Sequence, residues 1–133
     1  MNFNKLLNEK GLKATPQRLL ILNTIKDGGH IDIEKIYEKI NKIIPSISIA
    51  TVYKNLKLLV DKGIIKEVHI NSFKTLYEVN TSFHIHLVCK KCKKITDIEV
   101  NEKSIFSFFN KLVKEDVKNF DVTGYYICEN CKN

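Results

Sequence analysis

His84-Ile85-His86-Leu87-Val88-Cys89-Lys90-Lys91-Cys92 sets four potential metal ligands within nine residues. A second pair follows in Cys128-Glu129-Asn130-Cys131, so all four cysteines of the chain fall in two C-x-x-C knuckles. Two residues between cysteines let both thiolates bend onto one ion, and two knuckles complete a tetrahedral sulfur shell suited to Zn²⁺. The 35 residues between the knuckles exceed a compact zinc-ribbon spacing, which predicts a small folded unit inside the zinc-closed loop. Two disulfides or a redox motif are the competing readings. The start of the chain has no secretory character, and a redox C-x-x-C would not come doubled, so structural zinc is the reading taken.

A four-cysteine shell leaves the histidines over. His84 and His86 alternate with Ile85 and Leu87, a strand pattern that points both imidazoles to one face. Two such imidazoles beside a closed zinc site suggest a second metal. They could equally replace a cysteine pair in the zinc shell or sit on a solvated strand face.

At 133 residues, with 44% hydrophobic and 28% charged residues, the composition is that of an ordinary globular chain of one domain or two small ones. No apolar run reaches membrane-spanning length, and a soluble cytoplasmic protein is expected. The net charge of +7 is uneven: residues 1–83 carry 13 basic and 8 acidic side chains, and residues 84–133 carry 9 and 7. Four thiolates on one Zn²⁺ cancel the second surplus, so the basic character belongs to the first half and points to a polyanion partner there.

Phe3, Leu6 and Leu7 predict a short helix stopped by Gly11, and Thr15-Pro16 is an N-cap followed by an N1 proline. The helix begun there should reach about Lys26 and end at Gly28-Gly29. Asp32 can cap a third helix with the stripe Ile33, Ile36, Tyr37, Ile40 and Ile44, limited by Pro45. Ser46-Ile47-Ser48 offers a cap for a fourth, from about Ile49 to Lys62, burying Val52, Leu56, Leu59 and Val60. Its other face shows Ser48, Thr51, Tyr53, Lys54, Asn55 and Lys57, the short and basic side chains with which a helix meets a major groove. Residues 64–70 and 76–79 then predict a hairpin with its turn at Asn71-Ser72. Helices followed at once by a hairpin make a winged helix-turn-helix.

Past a short polar hinge, the His/Cys strand pairs with residues 95–100. Asn101 caps a helix with Ile105, Phe108, Phe109, Leu112 and Val113 on one side, and residues 120–122 and 125–127 are brief strands. A sheet under a single helix is thin for a monomer, and pairing across a two-fold axis would bury more. The expected fold is therefore α+β. It has a winged-helix DNA-binding domain at 1–79, a hinge at 80–83, and a small α/β dimerisation and metal-binding domain at 84–133 closed by the four-cysteine zinc site.

Three motifs occur in order: Leu12-Lys13-Ala14-Thr15-Pro16-Gln17-Arg18, Ser48-Ile49-Ala50-Thr51-Val52-Tyr53-Lys54-Asn55-Leu56, and the His-x-His-x-x-Cys-x-x-Cys stretch. Together they resemble the ferric uptake regulator family of metal-dependent transcriptional repressors over nearly the whole chain. The resemblance implies homodimers on palindromic double-stranded operators, with Arg18, Thr51, Tyr53, Lys54, Asn55 and Lys57 on the DNA side. It implies zinc on Cys89, Cys92, Cys128 and Cys131, and a regulatory site of His30, Glu78, His84, His86 and Asp97. Imidazole and carboxylate ligands suit Fe²⁺ or Mn²⁺.

This chain departs from the iron regulators at two places. Ile85 and, approximately, Tyr125 stand where those proteins often carry further ligands, so an additional site is not expected. The segment from Gly124 to Cys128 is also shorter than usual. The single site ending in Asp97 resembles a peroxide-responsive repressor, whereas Glu78 resembles the iron regulators. The reading taken is peroxide sensing through an Fe/Mn site, in which His30 and His84 are the side chains oxidised; iron-responsive control of metal homeostasis is the alternative. A zinc enzyme would need an open coordination position and a nearby base, which a four-thiolate shell does not offer, so no enzyme is expected. A zinc-ribbon interaction module would not require the basic winged half.

Overall fold

In the computed structural model, which describes residues 2–132, the chain forms two compact units, the first ending at Asn80 and the second beginning at Thr81. The first unit runs α1 (Phe3–Glu9), α2 (Pro16–Gly28), β1 (Ile31–Asp32), α3 (Ile33–Ile43), α4 (Ile49–Asp61), β2 (Ile65–Val68) and β3 (Leu76–Val79). The second runs β4 (His84–Cys89), β5 (Ile95–Glu99), α5 (Glu102–Val113), β6 (Thr123–Tyr126) and a 3₁₀ turn at Glu129–Cys131. The fold is α+β, as expected.

The five α-helices begin where the sequence supplies a side-chain oxygen. Asn2, Thr15, Asp32, Ser48 and Asn101 each accept from the amide three residues on. Each such cap contributes about 1 kcal/mol by satisfying a donor the helix leaves over. The end of α4 is equally well defined: Ile64 N–H reaches Leu59 O, Gly63 N–H reaches Val60 O, and Gly63 takes φ +72°. That left-handed residue is glycine because a Cβ there clashes with its own backbone.

The first unit packs α2, α3 and α4 around Ile21, Leu22, Ile25, Ile36, Ile40, Val52, Leu56 and Leu59, each between 0% and 1% exposed. Every such side chain contributes roughly 1.5–3 kcal/mol of burial. Ile64, Ile65 and Tyr77 extend this core onto a three-stranded antiparallel sheet of order β1-β3-β2. β2 and β3 form the expected hairpin, with Val68 opposite Leu76 and Ile65 opposite Val79. The two-residue β1 lies outside the expected elements. It pairs with β3 and supplies the third strand of a winged-helix sheet.

The second unit is a sheet of order β5-β4-β6, with β5 antiparallel and β6 parallel to β4. Its last part differs from the sequence expectation. Thr123–Tyr126 forms one strand, and Phe120 instead joins an aromatic cluster with Phe83, Phe106 and Phe109. Phe109 and Phe120 stack at 4.4 Å with an 11° interplanar angle. No residue of α5 is fully buried, and Phe108 and Leu112 are each 67% exposed. Phe106 thus lies among the aromatic rings while Phe108 and Leu112, from the apolar side expected of this helix, are open.

Between the units, Asn80 is tied back to the first by bonds to Ile64 O and Gly63 O, while Phe83 belongs to the aromatic cluster of the second. Among the described residues, no helix is long and apolar enough to cross a membrane.

Candidate metal centres and nucleic-acid interface

Cys89 closes β4, and Cys92 follows on a turn that Lys93 completes with φ +66°. Cys128 and Cys131 bracket the 3₁₀ turn after β6. Because β6 runs parallel beside β4, with Tyr126 opposite Cys89, both knuckles emerge at the same end of the sheet. The four sulfurs lie within 4.8 Å of one another, with Cys92 and Cys128 Sγ 3.8 Å apart. Four thiolates at about 2.3 Å from one tetrahedral Zn²⁺ have edges of about 3.8 Å, so the donor set fits zinc in both type and spacing.

Local hydrogen bonding splits the thiols. The amide of Cys128 donates to Cys89 Sγ at 3.4 Å and, with further backbone donors, lowers the Cys89 pKa to about 6. Hydrogen bonding to the Cys128 sulfur, followed by desolvation, pushes Cys131 up to about 12. One preformed thiolate is a ready first ligand for a cation.

The remaining ligand candidates assemble within each unit. In the first, β1 pairs with β3 through Ile31 and Tyr77, and carrying that register one position further sets His30 beside Glu78. His30 Nε2 lies 2.9 Å from Glu78 Oε2, and Glu78 is buried on the central strand of its sheet. In the second, His84 and His86 share one face of β4, as the alternation predicts, and their Nε2 atoms lie 3.0 Å apart. Asp97 is directly opposite His86 on β5, with Oδ1 3.9 Å from His84 Nε2 and 3.8 Å from His86 Nε2.

The carbonyl of Ser82 fixes the state of His84. It can only accept, so Nδ1 at 3.1 Å is the donor, and Nε2 is the nitrogen turned toward His86 and Asp97. An outer-shell carbonyl of this kind orients a metal-binding imidazole. Two ligand atoms each about 2.1 Å from an ion and at right angles lie about 3.0 Å apart, so the close pair in each unit has the spacing of one octahedral edge.

On α4, Tyr53, Lys54 and Lys57 are exposed on the face away from the core, where the sequence sets them. Thr51, Asn55 and Arg18 are half-buried and engaged within the protein. Asn55 Nδ2 donates to Thr51 O at 3.0 Å, and Arg18 Nε donates to Asn55 Oδ1 at 3.2 Å. Arg18 Nη1 also donates to Lys13 O at 3.0 Å, and Thr51 Oγ1 pairs with Ser48 Oγ at 3.0 Å. Sequence reasoning passed over Ile49, which is 48% exposed at the first position of α4, one turn before Tyr53. Its spacing continues the stripe of Val52, Leu56 and Leu59, so periodicity alone reads it as inward, and only its place at the first position of α4 sets it apart from them.

The family model described as the ferric uptake regulator family matches residues 9–124. The peroxide-responsive repressor PerR of Staphylococcus epidermidis is 33% identical over 132 residues, covering 95% of this chain and 85% of that protein. Among solved structures, the Campylobacter jejuni peroxide stress regulator is 36% identical with a TM-score of 0.78, covering 98% of this chain and all of that one. The Vibrio cholerae ferric uptake regulator is 28% identical with a TM-score of 0.75, covering 96% of this chain and all of that one.

Proposed function

Because this chain belongs to the ferric uptake regulator family, we propose that it is a metal-dependent transcriptional repressor that binds palindromic DNA as a homodimer and senses peroxide. It acts in the cytoplasm as a regulator and not as an enzyme. The observation that carries the reading is the spacing of the imidazole and carboxylate donors. His30 with Glu78, and His84 with His86, already stand at ligand-edge separations.

In this reading His30, Glu78, His84, His86 and Asp97 hold one regulatory ion, while the four cysteines hold zinc. A set with three imidazoles, two carboxylates and no thiolate suits Fe²⁺ or Mn²⁺. Operator binding then depends on the ion, because metal binds one state of the protein better than the others. Fe²⁺ held by these residues would give one electron to cleave the peroxide O–O bond and take one back from the imidazole, so that one oxygen adds to the ring and the other leaves as water, chemistry that Mn²⁺ does not readily perform. His30 and His84 are the side chains oxidised. The Ser82 carbonyl holds the His84 ring with its Nε2 toward the ligand set. An imidazole that has gained oxygen is a poorer donor, so ligation weakens and the operator is released.

The test is a low dose of peroxide applied anaerobically to Fe²⁺- and Mn²⁺-loaded protein, followed by peptide mass spectrometry and operator binding. One added oxygen on a His30 or His84 peptide, with loss of binding only in the iron form, is the expected result. Unmodified histidines with oxidised Cys89 or Cys128 would move the sensing to the zinc site. Full DNA binding after treatment would leave iron-level sensing as the function.

A further inference from the structure

The polar groups of α4 that could read base edges are largely occupied. Thr51 Oγ1 is paired with Ser48 Oγ, which also caps the Thr51 amide at 3.1 Å. Asn55 uses its amide nitrogen on Thr51 O and its oxygen on Arg18 Nε. What projects outward near the start of the helix is apolar. Ile49 is 48% and Tyr53 58% exposed, one turn apart, and Lys57 continues the row with Lys54 beside it.

An isoleucine left open in the first turn of this helix loses the burial that its size would otherwise give. Lysines on the same face suit a polyanion, and among the major-groove edges of base pairs the thymine 5-methyl is the apolar feature. From this juxtaposition we infer that Ile49 is a specificity-determining residue that packs against a thymine 5-methyl in each operator half-site. This step rests on the reading of the first unit as a DNA-binding winged helix. Readout at that position is then by apolar contact, while Lys54 and Lys57 meet phosphates. Guanine or cytosine at the same position removes the methyl that Ile49 covers.

The inference is tested with the full-length, metal-loaded protein on a duplex selected from random sequence by the protein itself. Each half-site thymine is replaced in turn by deoxyuridine, which removes the methyl and keeps the base pair. One position should lose about fivefold in affinity, the scale of one apolar methyl contact. Ile49→Ala, which removes the contact from both half-sites, should lose that factor once per half-site on thymine DNA and show no further loss with deoxyuridine at that position. Lys54→Ala should bind more weakly yet keep its full sensitivity to the methyl. If Ile49→Ala and the deoxyuridine losses multiply at every position, or if no thymine methyl matters, Ile49 does not read thymine although the winged helix still binds DNA. If no specific duplex is selected at all, the DNA-binding reading fails and the role of Ile49 with it.

Discussion

Arg18 Nε lies 3.2 Å from Asn55 Oδ1, so the start of α2 is tied directly to the middle of α4. The same guanidinium donates to Lys13 O, which joins the loop before α2 to the pair. Arg18 is therefore expected to act on DNA binding chiefly by fixing how α4 is presented. Arg18→Ala should cost about 1–2 kcal/mol of stability through the two lost hydrogen bonds. Operator affinity should fall without a change in the salt slope. A slope reduced by about one per protomer would instead make Arg18 a phosphate contact. Chemical denaturation and binding at several salt concentrations check both.

Tyr53 and Lys57 share the outer face of α4 but should act differently. Tyr53→Ala should weaken binding to the selected operator by roughly 1–3 kcal/mol while leaving nonspecific binding nearly unchanged. Lys57→Ala should weaken both and lower the salt slope by about 0.9 for each of the dimer's two lysines. Fluorescence anisotropy on specific and scrambled duplexes separates the two. Equal losses on both duplexes for Tyr53→Ala would remove it from sequence reading.

The four-cysteine site should hold one Zn²⁺ per chain through purification. Cys131→Ser and Cys92→Ser should each lose the ion, because three thiolates and a hydroxyl no longer make the closed shell. Breaking that site should loosen the end of the sheet where β4 and β6 meet, with loss of the dimer. Metal analysis with analytical ultracentrifugation checks this, and a variant that retains both zinc and dimer would count against a structural role.

Phe108 and Leu112 expose a large apolar face on α5, with Ile98 and Tyr125 as further open apolar side chains in the same unit. A patch of that kind is where a second copy can recover lost burial. Phe108→Asp combined with Leu112→Asp should convert dimer to monomer while far-ultraviolet circular dichroism stays unchanged. Operator affinity should then fall steeply, since one winged helix reads only a half-site. A double variant that remains dimeric places the interface elsewhere.

The helices of the first unit were legible because each is bounded by chemistry that acts within a few residues. Thr15-Pro16, Asp32 and Ser48 start three of them, and Gly63 stops the last. The β4–β5 hairpin was legible from the alternation of His84 and His86 with Ile85 and Leu87. β1 was not, because Ile31-Asp32 is too short to show a period and becomes a strand only by pairing with β3. Residues 120–122 were expected to form a strand from their composition. Phe120 instead follows its aromatic neighbours, a preference that depends on distant residues. The metal candidates divide in the same way. The cysteine knuckles and the histidine pair are local patterns, whereas His30 and Glu78 are 48 positions apart, and their pairing depends on the register of a strand that periodicity does not reveal. Arg18, Thr51 and Asn55 were identified by residue type, but their internal hydrogen bonds are tertiary facts.

The parallel pairing of β4 with β6 has a consequence for the order in which the second unit is completed. An antiparallel neighbour such as β5 needs only a tight turn, but β6 must return across a connection that contains β5 and α5. Closing so long a loop costs chain entropy before any contact between the two strands offsets it. A zinc ion bound first at Cys89 and Cys92 can capture Cys128 and Cys131 as they pass, converting a slow search into a short zippering step. Without zinc, the sheet of the second unit would stand unfinished. An ion held by these cysteines would then act as a checkpoint on newly made protein, so that only chains that have acquired it present a finished surface for assembly.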